Sequence, residues 1–445
     1  QTASYSVDID QIQDDSGFYL PKVVTINAVE TINVVVPNTY VTDRDADSVY
    51  TVKYDVVTGL NSLGLWFGGF EDVELNFNAT TTGDRIDTIT VNPTRYIDNL
   101  VVNTGDGADR VVVKSSVTTT LNVNTGSGAD TVFVLQSAGD STISSGIGND
   151  RVYVNHTTAT TPLPLLLNGI TGSLHLVGGA GSDDYVIGMM GNGRAQIDIV
   201  EPVSSDADSL TIEGSNAADM FLFRPHSIST VEINAQGQFV LNGGATRLAY
   251  PSGFGSILVH GNDGNDTFIL DDTSATLDIR GDRGDDTFQI GQVFQSQRDA
   301  NSGIANADDY FDTILTTQGF LSNGISAAAS LYGGDGKDTF TVYRNIAELS
   351  LYGEADDDNF LVRAFVRVDP NDKNAPKTNI NGGQGADFIS YTVNAPVNIS
   401  GGDGLDTLTV VGTEFGEDFV VTEDGIYGGG LAIRYDGIEN LVLDA

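Results

Sequence analysis

A ten-residue segment recurs down this chain, and recurrence at near-constant spacing restricts the fold to a repeat architecture before any other feature is weighed. Each copy is a Gly-rich turn, then Asp, then a polar residue, then a β-branched or aromatic run. It reads TGDGADRVVV at 104–113, TGSGADTVFV at 125–134, SGIGNDRVYV at 145–154 and GNDGNDTFIL at 261–270. Further copies are GDRGDDTFQI at 281–290, GGDGKDTFTV at 333–342, GGQGADFISY at 382–391 and GGDGLDTLTV at 401–410.

Aligned on the Asp after the turn, the units fall at Asp47, Asp87, Asp109, Asp130, Asp150, Asp183, Asp266, Asp286, Asp312, Asp338, Asp358, Asp387 and Asp406. The steps from Asp87 to Asp150 are 22, 21 and 20 residues, and the 40 residues from Asp47 to Asp87 make two such units. One coil of a parallel β-solenoid needs about 20 residues, because two or three strands of about five residues plus their turns must close a rung. Period-2 alternation flanks the turns, as in Thr339-Phe340-Thr341-Val342 after one and Leu349-Ser350-Leu351 before another. Helical periodicity is nearly absent. The expected fold is therefore all-β, a parallel β-solenoid or β-roll-like stack with coils of about 20 residues and Gly-Asp turns. Some twenty coils at about 4.8 Å each would make a rod on the order of 100 Å long.

The register weakens at 188–250, where Asp208-Ser-Leu-Thr-Ile and Asp219-Met-Phe-Leu-Phe are 11 residues apart and carry fewer glycines. The expected organisation is an N-terminal solenoid half at 1–187, an irregular seam of degenerate repeats at 188–250, and a C-terminal half at 251–445 with the best turns. Segments 291–330 and 363–378 read as longer loops.

With 61 acidic and 21 basic residues the formal charge is −40, which disfavours nucleic acid and anionic membranes and favours cations. A hydrophobic share of 40% still allows a core. There is no cysteine, so disulfides and thiolate metal sites are excluded. No run approaches the roughly 18 apolar residues of a membrane helix. A start at Gln1 without a basic-plus-apolar leader fits a secreted chain after processing, or a segment of a longer protein.

The turns resemble the RTX calcium-binding nonapeptide G-G-x-G-x-D-x-U-x of secreted bacterial toxins and proteases, best at Gly333-Gly334-Asp335-Gly336-Lys337-Asp338 and Gly401-Gly402-Asp403-Gly404-Leu405-Asp406. That resemblance implies a β-roll in which Ca²⁺ is held between successive turns by carbonyls and the Asp carboxylate. Carried over by position, the carboxylate falls on Asp109, Asp130, Asp150, Asp183, Asp266, Asp286, Asp338, Asp387 and Asp406. Asp106, Asp263, Asp335 and Asp403 add an acid at the third position, and 353–358 supplies Asp356 and Asp358 in an altered turn. Calcium takes six to eight oxygen ligands in a forgiving geometry, which such turns can provide. Unlike the family pattern, this turn recurs once per coil, which places ions along one edge.

The bland alternative is that Gly and Asp only cap a tight bend. Against it, carboxylates repeating every coil sit about 5 Å apart and repel by roughly 1 kcal/mol even in water. Calcium is thus expected to contribute to folding. No catalytic residue stands out. His156, His175, His226 and His260 lack a zinc or acid–base spacing, and Trp66 reads as core packing. Four sequons, beginning at Asn78, Asn155, Asn265 and Asn398, are near chance frequency. The C-terminal Gly437-Ile-Glu-Asn-Leu-Val-Leu resembles a closing strand of large bacterial surface repeats, without a polar cap after it. An uncapped solenoid end predicts further repeats or end-to-end self-association.

The expected function is a secreted or cell-surface calcium-binding structural repeat protein, not an enzyme, serving in an adhesin, sheath, surface layer or filament, with surface glycans among its partners. The alternative is a parallel β-helix polysaccharide lyase or epimerase using Ca²⁺, for which Arg363 and Arg367 form the one close arginine pair beside a long loop. Tandem β-sandwiches would need units of about 100 residues and do not fit the spacing.

Overall fold

A computed structural model gives the architecture. From residue 98 onward it describes 98–156, 168–189, 194–202, 207–231, 246–304, 306–363, 378–392, 396–412, 418–428 and 431–444. Before residue 98 it describes strand backbones, with side chains at 89–91. Asp47 and Arg367 lie outside the described residues, as do the side chains of Trp66 and Asp87.

The chain is nearly all β and separates into two compact units. The first comprises Gln1–Met189, Gly193–Leu210 and Thr246–Pro251; the second comprises Met190–Asn192, Thr211–Ala245 and Ser252–Ala445. The boundaries between the units lie between Met189 and Ser252, and Thr246–Ala249 returns to pair with Gln196–Val200 of the first unit. Among the described residues the single helical piece is the short 3-10 turn Ala307–Asp309, and no helix is long and apolar enough to cross a membrane.

Each unit is a parallel β-solenoid, as the repeat spacing implies. In the second, one sheet runs through Thr267–Leu270, Thr287–Ile290, Thr339–Val342, Asn359–Val362, Phe388–Thr392, Thr407–Val411 and Asn440–Asp444. The other runs through Ser256–His260, Thr276–Arg283, Ala329–Asp335, Leu349–Ala355, Thr378–Gly385, Val397–Gly404 and Leu431–Asp436. The Gly-Asp turn joins the two sheets in each coil up to the last, where Gly437-Ile-Glu439 takes its place. The first unit repeats the plan, with Asn99–Asn103, Thr120–Asn124 and Ser141–Ile147 facing Arg110–Ser115, Thr131–Ser137 and Arg151–Val154 across the same turns.

Alternation sends every second side chain inward, and parallel register stacks like on like. In the second unit Phe221, Phe268, Phe288, Phe340 and Phe360 form one buried column with ring centroids 5.4, 4.9, 4.6 and 4.7 Å apart. Beside it Val259, Ile279, Leu331, Leu351, Ile380 and Ile399 continue coil after coil. In the first unit Val111, Val132, Val152 and Tyr185 do the same.

One expected repeat is not a coil. Asp312 does not join the stack, because Asp286 is followed directly by Asp338: Thr287 pairs with Thr339 and Phe288 with Phe340. The residues between form an excursion carrying a small antiparallel sheet of Val293–Phe294, Gly319–Ser322 and Thr313–Thr316. The Arg298 guanidinium lies 5.1 Å from the Phe294 ring centre and 5.7 Å from that of Phe311. Arg224, on the solenoid strand Met220–Arg224, ties the excursion down through Asp309 at 3.3 Å while also pairing with the buried Asp271 at 3.3 Å.

Candidate functional site: an interior carboxylate ladder

Within the six turn positions, positive φ at the second and fourth positions and crowding at the first favour glycine. At the fourth position Gly336 has φ +133°, and a Cβ there would collide with the carbonyl oxygen of Gly284 in the neighbouring coil. At the first position Gly333 has an ordinary φ, yet a Cβ would collide with Oδ2 of Asp338 in its own turn. Where the first position is glycine, as at Gly281, Gly333, Gly353, Gly382 and Gly401, the aspartate of the same turn folds back over it, whereas the turns of Asp109, Asp130 and Asp150 carry Thr104, Thr125 and Ser145 there.

That backfolding turns the aspartates inward. Asp109, Asp130, Asp150, Asp183, Asp266, Asp286, Asp338, Asp358, Asp387 and Asp406 are all buried, at 2% exposure or less. Their Oδ1 atoms accept backbone N–H groups from the preceding coil. In the first unit Asp109 N–H donates to Asp130 at 2.7 Å, Asp130 to Asp150 at 2.8 Å, Asp150 to Asp183 at 2.8 Å and Asp183 to Asp208 at 3.0 Å. In the second the series runs Asp219 to Asp266, Asp286, Asp338, Asp358, Asp387 and Asp406 at 2.7–2.9 Å, and Asp406 N–H ends on Glu439 at 2.9 Å.

The second carboxylate oxygen has a different environment. Oδ2 of Asp150, Asp266, Asp286, Asp338, Asp358, Asp387 and Asp406 is buried and receives no hydrogen bond. Around Gly333, the Oδ2 of Asp338 and the carbonyl oxygen of Gly353 converge on one point; the same pairing joins Asp286 with Gly333, Asp358 with Gly382, Asp387 with Gly401 and Asp406 with Gly437. A buried carboxylate oxygen without a donor, set beside a carbonyl oxygen, is a place for a proton or a cation. Burial accordingly pushes Asp266 and Asp358 up to about 8, Asp150, Asp286 and Asp338 up to about 7, and Asp387 up to about 6. Asp130 is raised by the same burial, opposed by the Thr125 hydroxyl.

The third-position acids do not join them. Asp106, Asp263, Asp335 and Asp403 are exposed on the outer side of the turn, so the two carboxylates expected to share one ion sit on opposite sides of the backbone. Arg283 lies 3.7 Å from both Asp263 and Asp335, and Ser127 donates to Asp106 at 2.6 Å. Asp356 is also exposed and occupies a fourth-position φ of +74° normally left to glycine.

A local carboxylate cluster occurs in the first unit, where oxygens of Asp183, Glu201 and Asp208 lie within 4.8 Å of one another. Tyr185 donates its hydroxyl to Glu201, whose carboxyl is held at about 7, chiefly by burial. Glu201 follows Val200 without any turn motif, so no sequence signal marked it. Asp208 was visible as an Asp-then-strand unit, and Glu439 takes the Asp position before Asn440–Asp444.

Register also creates histidine–carboxylate pairs that sequence spacing conceals: His175 with Asp198 at 3.4 Å and His260 with Asp282 at 3.0 Å. His156 is fully buried, and burial lowers it to about 4. Arg363 is exposed at the end of Asn359–Val362.

No protein-family model matches the chain, and no curated protein matches it by sequence. The functional reading rests on the ladder itself. Its donor set is all oxygen, a carboxylate and a carbonyl from adjacent coils, which is the chemistry of a hard cation or of a shared proton.

Proposed function

We propose that this protein is an extracellular or cell-surface structural repeat protein whose solenoid is stiffened by calcium, serving in an adhesin, sheath, surface layer or filament. The observation that carries the reading is the buried series of Oδ2 atoms that accept no hydrogen bond, each beside a carbonyl oxygen of the next coil in the second unit. The net charge of −40 supports it, since few bases are present to neutralise buried acid. The residues that would hold the ions are Asp150, Asp266, Asp286, Asp338, Asp358, Asp387 and Asp406, with carbonyls of the adjoining turns. A bound calcium would supply positive charge between oxygens that otherwise repel. The protein's own groups do the rest: Oδ1 atoms fix the spacing of coils, and in the second unit glycines at the first position leave room for Oδ2.

A second reading has its own support in the raised carboxyls: protons instead of ions complete the ladder near neutrality. Far-UV circular dichroism melts at pH 8 with calcium, magnesium or chelator separate the two. A calcium-specific rise in melting temperature is the result expected. Melts that coincide in all three, yet sharpen on acidification, would refute calcium and leave protons as the neutralising species.

A further inference from the structure

On the outer face of the second unit, the strands Thr276–Arg283, Ala329–Asp335, Leu349–Ala355 and Thr378–Gly385 place a hollow of about 370 Å³ over Gly334. Its floor is Gly334 and Ala355, which carry little or no side chain, and its walls are Arg280, Arg283, Asp282, Asp335, Glu354 and Gln384. Parallel register explains the arrangement. Asp282, Gly334 and Glu354 are consecutive rungs of one outward row, so the missing side chain at Gly334 leaves a gap between two carboxylates.

The walls are held in place. Asp282 and Glu354 adopt φ of +72° and +78° in a row where Gly334, Gly383 and Gly402 supply glycine and Asn262 also takes a positive φ, a conformation that costs a non-glycine residue about 1 kcal/mol. Asp282 is fixed by His260 at 3.0 Å. Arg280 is held by Asp278 at 3.2 Å and lies 5.2 Å from the ring centre of Tyr332, which stacks on Tyr352 at 4.6 Å to form one rim.

The composition of the walls selects the ligand. Two guanidiniums in the same hollow oppose a divalent cation, while three carboxylates and the charge of the whole chain oppose a polyanion. What remains is a neutral molecule rich in vicinal hydroxyls, which guanidinium, carboxylate and amide groups engage as paired donors and acceptors. The volume lies in the lower part of the range for small-ligand sites and the hollow is open, which suits a few rings of a chain passing across it. We propose that the hollow over Gly334 is a binding subsite for a neutral oligosaccharide. This goes beyond the calcium reading and does not depend on it.

The test is calorimetric titration of the full chain with neutral hexasaccharides of glucose, mannose and xylose, and with hexagalacturonate, each with calcium and with chelator. Saturable binding of at least one neutral hexasaccharide is expected, weakened about tenfold or more by Arg280→Ala and Glu354→Gln with unchanged circular dichroism. Ala355→Phe, which fills the floor from an ordinary backbone position, should abolish it. Absence of saturation by any neutral sugar at about 10 mM, binding indifferent to all three substitutions, or preference for hexagalacturonate would each overturn the proposal.

Discussion

Replacing Asp338 by Asn and by Ala separates the two jobs of a ladder carboxylate. Its Oδ1 accepts the Asp286 N–H at 2.7 Å, and its buried Oδ2 accepts no hydrogen bond and lies beside the Gly353 carbonyl. Asp338→Ala leaves a buried N–H without an acceptor, a loss of about 1–3 kcal/mol. Asp338→Asn keeps the acceptor and turns an amide N–H₂ toward the carbonyl. A carboxyl held at about 7 instead of 3.8 carries a penalty of about 4 kcal/mol once ionised; relaxation of the site makes that an upper bound. In chelator at pH 8, therefore, Asn should equal or exceed the wild type, by up to about a thousandfold in amide protection of Thr339–Val342, while Ala, which sheds the same penalty but leaves the N–H unpaired, falls about 1–3 kcal/mol below Asn. With calcium the order should reverse, because Asn cannot supply a charged ligand. Hydrogen-exchange mass spectrometry on the full chain reads this locally, which matters because long repeat arrays do not unfold in two states. Equal loss of protection in Asn and Ala under chelation would refute the reasoning, since it would mean that Oδ2 already has a partner.

In chelator, stability should fall as pH rises. The ladder carboxyls are raised, so their contribution is complete below about 4 and is lost as pH passes through the values of about 6 at Asp387 to about 8 at Asp266 and Asp358; melts that improve from pH 5 to 8 without calcium would contradict it. Gly333→Ala should destabilise its coil by several kcal/mol, about as much as overpacking a core, because the new Cβ meets Asp338 Oδ2 and the Gly353 carbonyl; full retention of protection at 333–342 would show that the carboxylate can swing away. Phe288→Ala opens the aromatic column between Phe268 and Phe340 and should cost about 3–5 kcal/mol, read as loss of protection on the neighbouring strands; a change below about 1 kcal/mol would mean that the column is not close-packed.

The parallel solenoid was legible because one short turn fixes the phase of every coil, and phase plus alternation determines which residues stack. Asp312 misled for a physical reason: Phe311-Asp312-Thr313 has the Asp-then-strand pattern but carries Tyr310 at the fourth position, where most turns have a positive-φ glycine. The direction of the carboxylates was not legible. A G-G-x-G-x-D turn is equally compatible with an outward chelating Asp and an inward one, and the choice is made by the N–H of the neighbouring coil, which no spacing within a turn reveals. Glu201 lay outside the pattern because a loop, not a repeat, brings it to Asp183.

The fifth turn position adds a constraint that completes the logic of the corner. There the side chain accepts from the following coil in the sense opposite to the ladder: Ser182 N–H donates to Asn149 at 3.0 Å, Asp285 to Asn265 at 3.1 Å, Lys337 to Asp285 at 3.0 Å and Ala386 to Asp357 at 2.9 Å. At the sixth position the earlier coil donates to the later one; at the fifth the later donates to the earlier. A slip of one residue between coils would break both series at once and bring inward carboxylates against the phenylalanine column, so the pair of series specifies register more strictly than apolar alternation does. The strands alone would tolerate exchange of one β-branched residue for another. The corner does not, and this is why Gly and Asp recur where the strand residues drift.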